Sequence, residues 1–439
     1  AMVPFGFTPD DGDDAANREN LEAMMRQMQE QIQKQFEQLG INGAAGFPFA
    51  GFDGGTQEAL PLAPVRDTGK KFVSAQGSQP LGTNDVTAVN NACEIADIWL
   101  NEATDFPATS STATRAISRL DWVDETLPGW QATMEPLATG LSAAISRLLD
   151  EAINSAGSEY EEQMAAAPIG AIAGLLRTFI GSMIATQLGQ AIGGISATAT
   201  GAHDVALPLL DPARPLLIPE NIEKWSQDLE IPKTEIYLFH ALREAAIARL
   251  FESNPWLVSY IRSAIVDYGR GIHIDMEAIQ RQAEEAMQNF DPSQMNPESG
   301  ENSFTIALNN GIFTPEETPA QRAALSKLET ALALVDGWAD EVTTLAAGER
   351  LPALAQLREM YRRQRATNAP SQQLFKTLLG LEVTPKLARE ASAFWQKVRE
   401  SKDIAARDQI WSGILPNADE LLDPDAFLTS TQIPDDLSG

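Results

Sequence analysis

The sequence is poor in the residues that most metal, redox and disulfide chemistry requires. Cys93 is the single cysteine in 439 residues, so neither an internal disulfide framework nor a thiolate zinc cage can form, and this usage suits a reducing cytoplasm. His203, His240 and His273 are the only histidines, and no two stand three to five residues apart, the spacing that puts two imidazoles on one helix face. Aromatic residues make up only 7%, and the Val/Thr/Tyr alternation of sheets is missing. Bases are scarce as well: 32 Lys and Arg face 61 Asp and Glu, a formal charge of −29, so a phosphate backbone or an anionic bilayer is repelled on average and nucleic acid is not an expected partner. No basic stretch followed by an apolar run opens the sequence, so no secretory leader is expected. A Gly-x-Ser-x-Gly nucleophile elbow is absent, and the glycines of Gln187–Gly194 are followed by no Lys-Ser/Thr, which leaves Ser/His/Asp catalysis and nucleotide binding unsupported.

What is present is 44% hydrophobic residue, rich in Ala and Leu, in helical periodicity broken by proline, which predicts a mainly α protein. Residues 1–16 are acidic and aperiodic and read as a disordered tail. In 17–39 an amphipathic helix is predicted, because Met24, Met25, Met28, Ile32 and Phe36 form a narrow apolar stripe over a Gln/Glu-rich remainder; the stripe either packs on the parent domain or docks another chain. Residues 40–83 read as a Gly/Pro-rich linker, making the first part of the chain a flexible arm. A helical domain over 84–428 follows, with breaks at Pro128-Gly129, Pro208 and Pro255 among others, and 429–439 reads as an acidic C-terminal tail. Helices are expected at 219–229, 233–252, 254–269, 275–288, 319–346, 352–366, 371–379, 385–400 and 403–412. Ala165–Thr200 holds one charge, Arg177, among many glycines; a buried helical hairpin is expected there rather than a stable membrane span.

The segment Thr234–Phe251 reads as an amphipathic helix with a catalytic fragment at its centre. A zincin helix carries His-Glu-x-x-His because residues four apart grip Zn²⁺ from one face while the glutamate activates the bound water. Around Glu244 that frame is filled by Arg243, Glu244, Ala245, Ala246 and Ile247, so both imidazole positions are lost. A guanidinium keeps its proton at any accessible pH, and an isoleucine side chain has no lone pair. Arg358, Arg362, Arg363 and Arg365 form the one concentrated basic patch, which is either a solvated helix face or a receptor for an acidic partner, a phosphate or the chain's own acidic tail.

Longer strings carry a family resemblance: Ile95–Leu100 with Thr104-Asp105-Phe106-Pro107, Trp122-Val123 with Thr126-Leu127-Pro128, Ala241–Ala246, Pro255-Trp256-Leu257 with Gly269–Ile272, Leu332–Trp338, and Arg407-Asp408 before Trp411. On these the chain resembles the actinobacterial zincin-like metallopeptidases, over roughly Ala88–Phe427. The resemblance implies a helical zincin-like core in which a second helix supplies an acidic metal ligand from a Glu-Gly-Trp-like motif, here Asp336-Gly337-Trp338. With Arg243 and Ile247 at the former imidazole positions, the expectation is a protein without a metal cofactor, with Glu244 a vestigial catalytic residue and Arg243 ion-paired to Asp336 or Glu329 in place of the metal. The function expected is that of a cytoplasmic pseudo-metalloprotease, a scaffold, adaptor or regulator that binds another protein, and family context implies a membrane-anchored protease with a PDZ module as that partner. The alternative is an active hydrolase with atypical ligands, or one using Glu244 and Asp336 as a carboxylate pair.

Overall fold

Ala/Leu-rich segments separated by proline and short polar turns become helices, and a computed structural model describes them over residues 60–155, 169–271, 318–368 and 387–430. In chain order they include α1 (Leu62–Gln76), α2 (Thr83–Leu100), α3 (Arg119–Ser155), α4 (Ile169–Ser196), α5 (Pro219–Trp225), α6 (Lys233–Ser253), α7 (Pro255–Arg270), α8 (Pro319–Ala347), α9 (Leu354–Asn368), α10 (Ala388–Ser401) and α11 (Ile404–Gln409). The starts follow local chemistry. Thr318 and Gln321 exchange side-chain and backbone hydrogen bonds in a capping box with Pro319 at the first helical position of α8, and Asp403 caps α11 through the Ala406 amide.

α6 is the axis of the fold. It packs against α2 and α8, with α5, α7 and α9 also in contact, and α8 in turn carries α10 and α7. The periodicity of 234–251 predicts an amphipathic helix, yet every residue from Ile236 to Phe251 is buried. Helices cover it on several sides, so the charges that made it look two-faced are inside. Among the described residues there are no strands; extended backbone is limited to isolated bridges, where Leu217 pairs with Ala116 on one side and Gly201 on the other.

The structure corrects three expectations. The linker of 40–83 contains α1, whose Val65, Gly69 and Val73 are buried. That stripe is short and has a glycine at its centre. Gly69 and Gly189 meet where α1 crosses α4 at backbone contact: a Cβ on Gly69 would stand 3.2 Å from the Gly189 carbonyl oxygen, and one on Gly189 2.6 Å from the Val65 carbonyl oxygen. The hairpin expected in Ala165–Thr200 is one helix over Ile169–Ser196, and no helix among the described residues is long and apolar enough to cross a membrane. Pro128 does not end a helix; α3 runs through both Pro128 and Pro136. The N-terminal helix with Met24, Met25, Met28, Ile32 and Phe36, His273, and the expected helices 275–288 and 371–379 lie outside the described residues.

Candidate functional site

Three ionic side chains sit in the buried run Ile236–Phe251 of α6, and each leaves the helix toward a different neighbour. Burying an ion is tolerable only if hydrogen bonds or an opposite charge replace its lost hydration. Arg249 meets that demand with α2 and the turn after it: its guanidinium donates to the Asp97 carbonyl and carboxylate, to Asn101 Oδ1 and to the Phe106 carbonyl.

Glu244 points toward the loop after α4. Its carboxylate accepts from the backbone N–H of Ala202 at 2.9 Å, of His203 at 3.2 Å and of Leu216 at 3.3 Å, and from His203 Nδ1 at 2.8 Å. Side chain and loop are close enough to fix the residue at 201, since a Cβ there would lie 2.4 Å from Glu244 Oε2. The carboxylate therefore serves as the fastening of residues 200–217, and the peptide N–H groups use the acceptor sites that a general base would keep open. His203 is fully buried with Nε2 unpartnered and the ring against Phe251.

Arg243, one residue earlier, points to α8. Its Nη2 donates to Asp336 Oδ1 at 2.6 Å, Nη1 lies 3.7 Å from Asp340 Oδ1, and the Tyr361 ring of α9 covers the guanidinium at 4.1 Å. The aspartates at 336 and 340 are one helical turn apart on α8 and share this face. Asp340 is the hub: it accepts from Arg358 Nε and Nη2 at 3.1 and 2.7 Å, from Arg362 Nη2 at 2.8 Å and from the Ser392 hydroxyl of α10 at 2.8 Å. Burial pushes its carboxyl upward, but the Arg358 hydrogen bond and the charges of Arg243, Arg358 and Arg362 outweigh this and hold it well below the usual carboxylate range. Arg365 completes the cluster, with Nη2 3.1 Å from Asp336 Oδ1 and Nη1 donating to the Tyr361 hydroxyl and to the Asp204 carbonyl. Beside them His240 is buried edge-on to Trp225, with Nε2 unpartnered. Burial is the main reason its imidazole is driven down to about 4; Arg243 adds to the shift and Asp204 opposes it.

A second network lies where the strings that suggested the family meet. Asp408 accepts from the Thr104 hydroxyl at 2.6 Å, the Asp105 amide at 2.9 Å and Trp338 Nε1 at 3.0 Å. Its neighbour Arg407 pairs with Glu341 at 2.5 Å and donates to the Ala103 carbonyl. These contacts seat α11 against α8 and the turn after α2, and hold Trp338 while its neighbour Asp336 faces the arginines.

Of the residues singled out in the sequence, Arg243, Asp336, Arg358, Arg362 and Arg365 converge on one cluster, and Ile247 is buried in the core. The basic patch is thus mostly turned inward; Arg363 alone of its four members faces solvent, paired with Glu359 one turn back. Glu244 belongs to a separate network, bonded to the 200–217 loop rather than to Asp336. Sequence reasoning missed Asp340, Tyr361 and Asp204. The signal for Asp340 was available in its i+4 spacing from Asp336, matched by Arg358 and Arg362 at the same spacing. Among the described residues no group of three or more His, Cys, Asp or Glu side chains is arranged to hold a metal ion.

No curated protein sequence matches the chain. Among solved structures it is similar to a candidate hydrolase of novel fold from Chloroflexus aurantiacus, at 15% identity and a TM-score of 0.55, covering 84% of this chain and 98% of that one; at this identity the likeness concerns the fold. The profile of the zincin-like metallopeptidases matches residues 63–428, a span that opens within the first residues of α1 and closes two residues beyond Ala426. With the match extending over most of its length, the chain belongs to the zincin-like metallopeptidase family.

Proposed function

We propose that this protein is a zincin-like family member in which an arginine has taken the place of the metal, and that it works by binding another protein rather than by hydrolysing one. The observation that carries this reading is the 2.6 Å ion pair between Arg243 and Asp336. The family resemblance implies a metal ligand at that acidic position; here the permanent cation of Arg243 pairs with it, and Arg365 binds the same oxygen.

The donor set does not fit a zinc ion. Arg243 offers no lone pair, Ile247 has no donor atom, and Asp336 is already bound by two guanidiniums. His203 faces Glu244 through Nδ1, and that glutamate is engaged by peptide N–H groups, so neither is disposed to activate water. The separation of Glu244 and Asp336 into different networks also weighs against their acting as an acid/base pair. Binding is the function that remains compatible with a helical scaffold whose former centre is filled by ion pairs.

The test is metal analysis of the full chain purified without chelator and then equilibrated with excess zinc. Zinc far below one equivalent, together with peptidase activity no higher for the parent than for Glu244→Gln, is expected. Stoichiometric zinc that depends on Asp336, or activity abolished by Glu244→Gln, overturns the proposal.

A further inference from the structure

Helix α9 is held onto the molecule in an unusual way. Between Leu354 and Ala366 only Leu357 and Tyr361 are buried, with Leu354 and Met360 packed partly against the core. The rest of its attachment is ionic and comes from one face: Arg358 and Arg362 on Asp340, and Arg365 on Asp336 and the Asp204 carbonyl. Beneath that face lie polar groups whose hydrogen-bonding capacity is incompletely used. Arg243 Nε, Arg365 Nε and His240 Nε2 are buried without a partner, so the closed arrangement carries desolvation that water would relieve on opening. Removing small apolar area at one end, and rehydrating orphaned polar atoms at the other, makes a local opening far less costly than global unfolding.

We propose that α9 is a charge-held strap over the α6–α8 face, able to lift as a unit while α6 and α8 stay folded, and that the Asp340 carboxylate is its fastening. One carboxylate faces three guanidiniums there, so neutralising it leaves Arg358 and Arg362 without their carboxylate partner, beside an Arg243 that keeps Asp336. Lifting the strap bares Arg243, His240, Asp204 and Asp336, the polar surface that Tyr361 and Arg365 cover. The strap is a property of the packing and stands whether or not the surface beneath it recruits a partner.

Hydrogen–deuterium exchange of the full chain, read by mass spectrometry, tests it. In the parent protein, amides of 356–368 are expected to exchange at least about tenfold faster than those of 240–251 in α6. Asp340→Asn is expected to speed α9 by a further ~10- to 100-fold, the loss of hydrogen bonds to a charged group, while α6 stays within about twofold of the parent. Protection of α9 equal to that of α6, an Asp340→Asn protein with α9 unchanged, or one in which α6 and α9 accelerate together overturns the proposal. If Asp340→Asn does not fold, Arg362→Gln removes one outer contact of the same carboxylate and is judged by the same criteria.

Discussion

Helices α6 and α9 touch across Arg243, and their sequences and their attachments are opposites. α6 has sixteen consecutive buried residues, from Ile236 to Phe251, and the three charges within that run are each bonded inside the core. α9 is strongly polar and is joined to the same site chiefly through guanidinium–carboxylate pairs. Apolar burial is non-directional and adds with area, so α6 is fixed by the whole core around it. Ion pairs are local and depend on a few atoms, so the position of α9 rests on Asp340 and Asp336. The difference teaches which substitutions harm the fold and which alter only the surface of the site.

The largest effect is expected at Glu244. Glu244→Ala strips the acceptor from the amides of Ala202, His203 and Leu216 and from the His203 ring, leaving buried donors unsatisfied, at a cost of about 3–5 kcal/mol in chemical denaturation. A variant as stable as the parent would show that α6 does not organise the 200–217 loop.

An effect of intermediate size concerns pH. The buried His240 imidazole is driven down to about 4, whereas in the unfolded chain it titrates near 6.5, so the unfolded state binds the extra proton first. The stability contributed by keeping it neutral is complete above about pH 6.5 and is lost as pH falls toward about 4, amounting to about 3 kcal/mol. Urea titrations at several pH values should show this slope in the parent and a flatter one in His240→Phe. Equal slopes would mean that the proton reaches another group.

The smallest effect belongs to Arg363, the member of the α9 arginine group outside the cluster. Arg363→Ala removes an exposed pair with Glu359 and should leave the midpoint of a urea titration unchanged. It serves as the control for every charge change on this helix.

How far these features were legible in the sequence follows from the same contrast. The helices around the site are close to expectation: 233–252 becomes Lys233–Ser253 and 319–346 becomes Pro319–Ala347, because prolines and caps mark their ends. The Arg243–Asp336 pair was readable because a permanent cation and an acid stood at positions that the family resemblance brings together. The partners of Glu244 were not readable, since they are peptide amides some forty and some thirty residues upstream and leave no trace in residue identity beyond Gly201. α1 escaped notice for a related reason: its contact with α4 is made by glycine, whose role there is to be small. Asp340 was legible in principle, by its spacing, but its importance depends on three arginines folding back onto it.

One contact has an optical consequence. Trp225 lies edge-on to His240 with ring centroids 4.7 Å apart, and an imidazolium beside an indole drains its excited state where a neutral imidazole does so weakly. Emission from Trp225, one of eight tryptophans, is therefore expected to dim as the ring beside it takes up a proton.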